Sequence, residues 1–326
     1  MPFFSVIIAT RNRPTLFGQA LASVLAQSYS DVEVIVVNDG SGAEHKSEYE
    51  LILGNVDSNR VRRFNLAQSP KGHGGSYVRN FGAAKANAPY LCFLDDDDCW
   101  IDQDHLSRAC TVIDNSPAPV DLYMTNQVAF LDNEQRPRPI WIEDLPAVLA
   151  SHDNRPDRHG VHTVTVDELL GSQGFCHLNT LIVRRALYEE IGGMEERIRW
   201  EEDRDLYLRI LDRATVMKYM PATIARHNIP DPSKTASMTT SLSESERRLF
   251  QLTVFKRAQR LCQHPTIRAH AHRHYIYTLK RIAEALANSG RHVDAARYAR
   301  EALRAGPTAK WAGYTVWLTL RAFMPG

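Results

Sequence analysis

The chain has 326 residues, 44% hydrophobic and 24% charged, with 39 Lys and Arg against 38 Asp and Glu for a formal charge of +1. Such a composition belongs to a globular protein and excludes wholesale disorder. A mean hydropathy of −0.35, with no apolar run near the ~18 residues that cross a bilayer, argues against a membrane-spanning chain.

The neutral total conceals a split. From Glu244 onward there are 15 basic and five acidic residues, a net of +10, which leaves 24 basic and 33 acidic residues, a net of −9, in the first 243. With a length that suits two domains, this asymmetry indicates two parts with different tasks. The opening Met1-Pro2-Phe3-Phe4 has no signal-peptide features. The cysteines, Cys92, Cys99, Cys110, Cys176 and Cys262, form no CxxC pair, so neither a zinc module nor a disulfide framework is indicated. A reducing, cytoplasmic setting fits both observations.

In chain order, Phe3–Ala9 and Val32–Val37 are Val- and Ile-rich runs of the kind that form buried parallel strands. Between them Leu16, Ala20, Leu21, Val24 and Leu25 mark one helical face, with Pro14 suited to the first turn. Val61–Leu66 and Tyr90–Asp95 are predicted strands that bracket a helix at Gly75–Asn87. The alternation of strand and helix predicts βαβ units and a parallel sheet. Beyond residue 115 the rhythm weakens. Asp121–Asp132 reads as a strand, Pro137–Pro139 as a linker and Ser151–Thr163 as a polar loop. Leu178–Val183 and Met217–Pro221 read as strands, and Asp203–Asp212 as a helix. Residues 231–243 read as a linker or mobile loop, followed by helices at Ser243–Cys262, Thr266–Asn288, His292–Ala305 and Ala309–Phe323. The pair around Gly290 has the flavour of a tetratricopeptide-type hairpin, or of any Ala-rich helical pair.

Three groups of residues carry chemistry. Asp95-Asp96-Asp97-Asp98 ends a central strand, where open α/β sheets bind ligands and where carboxylates can hold a hard divalent cation on a diphosphate; a solvated acidic loop is the bland alternative. Glu201-Glu202-Asp203 opens a helix, as capping carboxylates or as the source of a general base. Asn38-Asp39-Gly40-Ser41-Gly42 is turn chemistry that also places Asp39 at a strand end, within reach of a nucleoside. Lys71, His73 and Arg79 are candidates for a diphosphate, Arg79 equally for a structural role, and His227 for a metal or diphosphate contact or an ordinary surface histidine. Trp100 and Trp200 read as sugar-stacking or wall residues.

Taken together these stretches resemble the family 2 glycosyltransferases of the GT-A fold. The likeness rests on Ser5–Pro14, Ser23–Tyr29, Val34–Ser41, Lys71–Gly82, Phe93–Trp100 and Ile191–Leu206, in that order, with Ala9 and Arg11 standing where the family usually has Pro and Tyr. The resemblance implies an α/β, Rossmann-like, mixed and mainly parallel sheet flanked by helices over residues 1–230. The helical region 244–326 is then an extension outside the likeness. It further implies an inverting transferase that uses Mn²⁺ or Mg²⁺ and a nucleotide-diphosphate sugar, with a UDP-sugar expected as donor. Carried over, Asp39 reads the base in a pocket lined by Ala9, Thr10 and Arg11, where Arg11 either stacks on the base or pairs with a phosphate. Asp96 approaches the ribose, Asp97 and Asp95 hold the metal, and Asp203 is the catalytic base. The acceptor is expected to be a glycan or lipid-linked glycan, as in polysaccharide biosynthesis. A glycoside hydrolase and a catalytically degenerate interaction protein are the rival readings.

The basic tail lacks the pattern of a nucleic-acid module, and none is expected as a partner. Its last helix carries Trp311, Tyr314, Trp317 and Phe323 between basic residues. It reads as a contact to the inner face of a membrane, to a second subunit or to the catalytic domain. His270, His272 and His274 include an i, i+4 pair without a third ligand nearby.

Overall fold

Val and Ile dominate residues 4–10 and 32–38, and branched side chains packed on both faces of a pleated backbone favour strands over helices there. The computed structural model describes residues 1–131, 134–136, 140–229 and 242–323. Its contacts divide the chain into two units, Met1–Lys234 and Thr235–Gly326. The expected linker at 137–139 and most of the 231–243 loop lie outside the described residues.

In the first unit β1 (Phe4–Thr10), β2 (Val32–Asn38), β3 (Val61–Asn65) and β4 (Tyr90–Asp95) form the parallel ladder β3-β2-β1-β4. β9 (Leu181–Arg184) pairs antiparallel with β4 and with β6 (Leu122–Leu131), and β6 runs parallel to β10 (Met217–Asn228). The double reversal leaves the six longer strands pointing one way. Among the described residues the opposing strands are short: β9, with four residues, and the two-residue β5 (Cys99–Trp100), β7 (Glu134–Gln135) and β8 (His162–Thr163). The sheet is therefore mixed and mainly parallel, as expected.

Helices cover both faces. α1 (Pro14–Leu25) and α4 (His105–Asp114) bury Phe17, Leu21, Val24, Leu106 and Ile113 against Phe4, Val6, Ile8, Val34 and Leu94. Each such side chain contributes about 1.5–3 kcal/mol on burial. On the other face α3 (Gly75–Ala84) lies so close that a Cβ at Gly82 would come within 2.6 Å of Ile7. The strand predicted to end at Pro221 continues to Asn228, because register shifts between Tyr219 and Ala225 take the proline into a bulge.

From β1 the chain builds outward to β2 and β3, then returns to place β4 on the other side of β1. The order reverses at the carboxyl ends of β1 and β4, where open α/β sheets form their ligand-binding crevice. Ala9 stands opposite both Val37 and Asp95, and Thr10 opposite Asn38.

The second unit is helical among its described residues: Glu244–Leu261, Pro265–Asn288, His292–Ala305 and Ala309–Arg321. A capping box from Ser243 and Glu246 starts the first helix, and Thr308 caps the last through the Trp311 N–H. Ala283, Ala295, Ala296, Ala299 and Ala302 let the helices approach closely around Leu279, Trp311 and Leu318. Trp311 Nε1 donates to the Ala299 carbonyl at 3.0 Å. His272 is bonded to Gln259 and to the Ala305 carbonyl, while the His270 and His274 rings lie 4.3 Å apart. His272, and His274 stacked on Phe255, therefore tie their helix to its neighbours.

Candidate active site

The turn after β2 sets Asp39 at the crevice, 7% exposed, with its N–H donated to the Thr10 carbonyl. Both Asp39 carboxylate oxygens accept the His73 N–H at 2.9 Å, and its Oδ1 lies 2.6 Å from His73 Nδ1. This close wrapping requires Gly72. Its φ is +68°, and a Cβ there would stand 2.3 Å from Asp39 Oδ2 and 2.8 Å from Arg11 Nη1. Arg11 donates to the Ser69 and Pro70 carbonyls, which joins it to the same loop. Thr10 Oγ1 is buried 2.7 Å from the Tyr49 hydroxyl. Lys71 is exposed on the loop, and nothing places it among the carboxylates.

The four aspartates after β4 face four different environments. Asp95 accepts from Arg79 Nη2 at 2.5 Å, and Arg79 also reaches Glu202 at 3.3 Å. Burial would raise the Asp95 pKa, but Arg79 and then His177 outweigh it and hold the carboxyl well below its usual range. Asp96 and Asp97 share Arg13, which donates to both, at 2.7 Å in the case of Asp97. Burial nevertheless pushes Asp96 up to about 7, against Arg13 and with added repulsion from Asp97; its second oxygen is buried without a hydrogen-bond partner. Asp98 points the other way, accepting from Asn179 Nδ2 at 2.5 Å, the Asn228 N–H at 2.7 Å and His227 Nδ1 at 2.7 Å. Burial would lower His227, but Asp98, Asp95 and Asp97 raise it to about 9.

Helix α8 (Glu202–Arg213) begins at Glu201, held at a left-handed φ of 58°, and carries Glu202, Asp203 and Asp205 in its first turn. Asp203 accepts the Arg204 N–H at 2.8 Å. Burial, with the charges of Glu202 and Glu201 beside it, pushes its pKa up to about 7. His177 stands between the two acidic groups, its Nε2 3.9 Å from Asp95 Oδ2 and 3.9 Å from Asp203 Oδ2. Burial and the neighbouring His227 charge push His177 down to about 3, so it sits neutral between them. Trp141 packs edge-on to both imidazoles. Trp100 is buried, with its indole N–H on the Asn179 carbonyl, and is part of the wall.

The family model for glycosyl transferase family 2 matches residues 5–192, more than half of the chain and all of the strand-end motifs up to the segment before α8. The chain belongs to glycosyl transferase family 2. Among family relatives, a GalNAc(5)-diNAcBac-PP-undecaprenol beta-1,3-glucosyltransferase of Campylobacter jejuni is 36% identical over 101 residues, 30% of this chain and 30% of that one. The amylovoran biosynthesis glycosyltransferase AmsB of Erwinia amylovora is 28% identical over 210 residues, 63% of each chain. An uncharacterized glycosyltransferase of Haemophilus influenzae is 34% identical over 33% of this chain, and the match spans 41% of its own length. The chain thus matches under two thirds of these relatives' lengths. By fold, S. aureus TarS 1-349 in complex with UDP-GlcNAc superposes with a TM-score of 0.66 at 15% identity, over 99% of this chain and 88% of that one. The mannosyltransferase PcManGT of Pyrobaculum calidifontis, in complex with GDP-Man and Mn²⁺, gives 0.61 at 17%, over 98% and 86%. The family's GT-A architecture is the one this chain adopts.

The fold gathers Asp95, Asp96, Asp97, Arg79, His227 and Asp203 at one end of the sheet, with Asp39, Arg11, Thr10 and Ala9 beside them. Sequence reasoning missed Arg13, His177 and Asn179, and it did not show that Asp98 turns away to His227. Arg13 lies two residues beyond Arg11, on the turn that leaves the central strand, and Asp98 closes the acidic run. For Asn179 and His177 no local pattern existed.

Proposed function

We propose that this chain is an inverting glycosyltransferase that moves a sugar from a nucleotide-diphosphate donor, a UDP-sugar, to a hydroxyl of a glycan or lipid-linked glycan. The observation that carries the reading is the placement of Asp203 and Asp95 at equal distance, 3.9 Å, on either side of His177. One carboxylate, raised to about 7, suits proton acceptance near neutral pH, and the other is held ionised. In this reading Asp203 takes the acceptor proton as the hydroxyl oxygen attacks the anomeric carbon from the face opposite the departing diphosphate. Asp39, fixed by the His73 loop, recognises the base, with Ala9, Thr10 and Arg11 around it; Asp96 approaches the ribose, and Lys71 and Arg79 serve the diphosphate.

The donor set fits a hard divalent cation. Asp95 and Asp97 keep 21% and 23% of their side chains accessible, and Asp96 has a buried oxygen with no hydrogen-bond partner. His227, whose Nδ1 is held by Asp98, would be the nitrogen donor once a cation displaces the ring proton that the surrounding aspartates favour, in the carboxylate-supported arrangement common to metal-bound histidines. Among the described residues no three such side chains form a ready cage, so an ion here would need donor phosphates and water as further ligands. Bound Mn²⁺ or Mg²⁺ would offset the charge that develops on the diphosphate. The GT-A unit, residues 1–230, holds all of this chemistry, and the helical region 244–326 is assigned a separate role.

Replacing the base tests the proposal. Asp203→Asn is expected to abolish transfer while nucleotide binding persists; undiminished transfer would reject the assignment.

A further inference from the structure

The last helix, Ala309–Arg321, turns Trp311, Thr315 and Leu318 into the tail core and leaves a second apolar face uncovered. Val316 is 60% exposed, Leu320 57% and Phe323 82%, at spacings of four and three residues along one side, with Trp317 at 44% on its edge. The His292 ring of the preceding helix stands 6.5 Å from Trp317, edge-on to it. A contiguous apolar surface of this kind marks a contact site. Its surroundings say which. No Asp or Glu occurs from Ala309 to Phe323, and Lys310 and Arg321 are exposed, with the Arg321 guanidinium 5.6 Å over the Trp317 ring. An aromatic edge beside long basic side chains, along an apolar stripe, suits the boundary between lipid headgroups and acyl chains.

We infer that this face docks on an anionic lipid bilayer, with Val316, Leu320 and Phe323 inserted, Trp317 at headgroup level, and Lys310 and Arg321 on lipid phosphates. Charge separates this occupant from a second copy of the chain. Exposed Lys310 and Arg321 flank the face without an Asp or Glu on that helix, so two such faces brought together would repel, whereas an anionic surface draws them in. Among the described residues no helix is long and apolar enough to cross a membrane, so the contact is one of lying on the surface. The inference rests on the tail alone and holds or fails independently of the donor site.

Flotation of the full chain with phosphatidylcholine vesicles, with and without phosphatidylglycerol, tests it. Wild-type protein is expected to float with the anionic vesicles, at least tenfold more than with neutral ones, and less as salt rises. A Trp317→Glu, Leu320→Glu variant is expected to stay at the bottom, and Lys310→Glu, Arg321→Glu to lose only the anionic preference. All three proteins should melt at the same temperature without ligand, which verifies folding by a readout that does not involve the donor site. Wild-type protein that stays at the bottom with anionic vesicles, or an apolar-face variant that floats as well as wild type, overturns the inference. So does light scattering that shows a wild-type dimer which the apolar-face substitutions dissolve, since the face then belongs to a second copy.

Discussion

Asn179 receives the backbone N–H of Asp95 on its side-chain oxygen at 3.0 Å. Its amide nitrogen meanwhile donates to Asp98 at 2.5 Å. One buried side chain, from the 3₁₀ turn Leu178–Thr180 that leads into β9, thus grips both ends of the acidic run. The bond fixes which aspartates face the crevice and which face the interior. Asn179→Ala should leave a buried N–H and a buried carboxylate short of partners, at a cost of about 1–3 kcal/mol for each group. Urea denaturation is expected to show the loss, and nucleotide titration a weaker site. A variant with wild-type stability and affinity would remove Asn179 from the account.

Asp98 has a sharper signature. It is buried and accepts from Asn179, the Asn228 N–H and His227, so its removal leaves buried donors without a partner at about 1–3 kcal/mol for each. Asp98→Ala should therefore destabilise the fold far more than Asp97→Ala, whose side chain is 23% exposed. Chemical denaturation of the two variants side by side checks the order.

Gly72→Ala adds a single methyl group. At φ +68° it strains the backbone by about 1–2 kcal/mol and pushes into Asp39 and Arg11. Nucleoside diphosphate affinity is expected to fall at least tenfold, which corresponds to about 1.4 kcal/mol. Calorimetric titration reads it directly.

The strand-end position of the acidic run, the helix that begins at Glu202 and the parallel core were legible because each is local: an apolar run, a periodicity, a cluster of like charges. What escaped depended on chain reversals. β9 is four residues long, too short for its pattern to announce that it runs against its neighbours. The helices Leu145–Ser151, Val166–Leu169 and Arg185–Glu190 are likewise too brief for periodicity to stand out. Arg13 reaches Asp97 across 84 positions and His227 reaches Asp98 across 129. Such pairings arise only when the sheet order brings strand ends together, and no window of sequence contains both partners. Pro221 misled for a related reason: a bulge in β10 absorbs a residue that ordinarily ends a strand.

The pH dependence follows from Asp203. Burial raises its pKa to about 7, so below that value the carboxyl is protonated and cannot accept the acceptor proton, and above it the base is available. Turnover should rise through pH 7 to a plateau. Asp96, pushed to about 7 by burial, titrates in the same window. Asp96→Asn should keep the rise at a weaker donor affinity, whereas Asp203→Asn should lower turnover by about 10²–10⁴-fold with no rise left.

Removal of divalent ions by chelation should depress turnover by at least about 10²-fold, since charge stabilisation at such sites is worth several kcal/mol. Mn²⁺ or Mg²⁺ should restore it, and Asp97→Asn should raise the ion concentration required. Turnover unchanged in excess chelator would remove the ion from the proposal.

The most direct measurement of the central claim is nucleotide binding by the full chain. Thermal shift and calorimetry with UDP and the other nucleoside diphosphates, with and without Mn²⁺, should show one of them stabilising the protein, more strongly with the ion. Asp39→Ala should lose discrimination among the bases. If no nucleoside diphosphate binds under any of these conditions, the assignment of the strand-end carboxylates to a nucleotide-sugar donor is wrong.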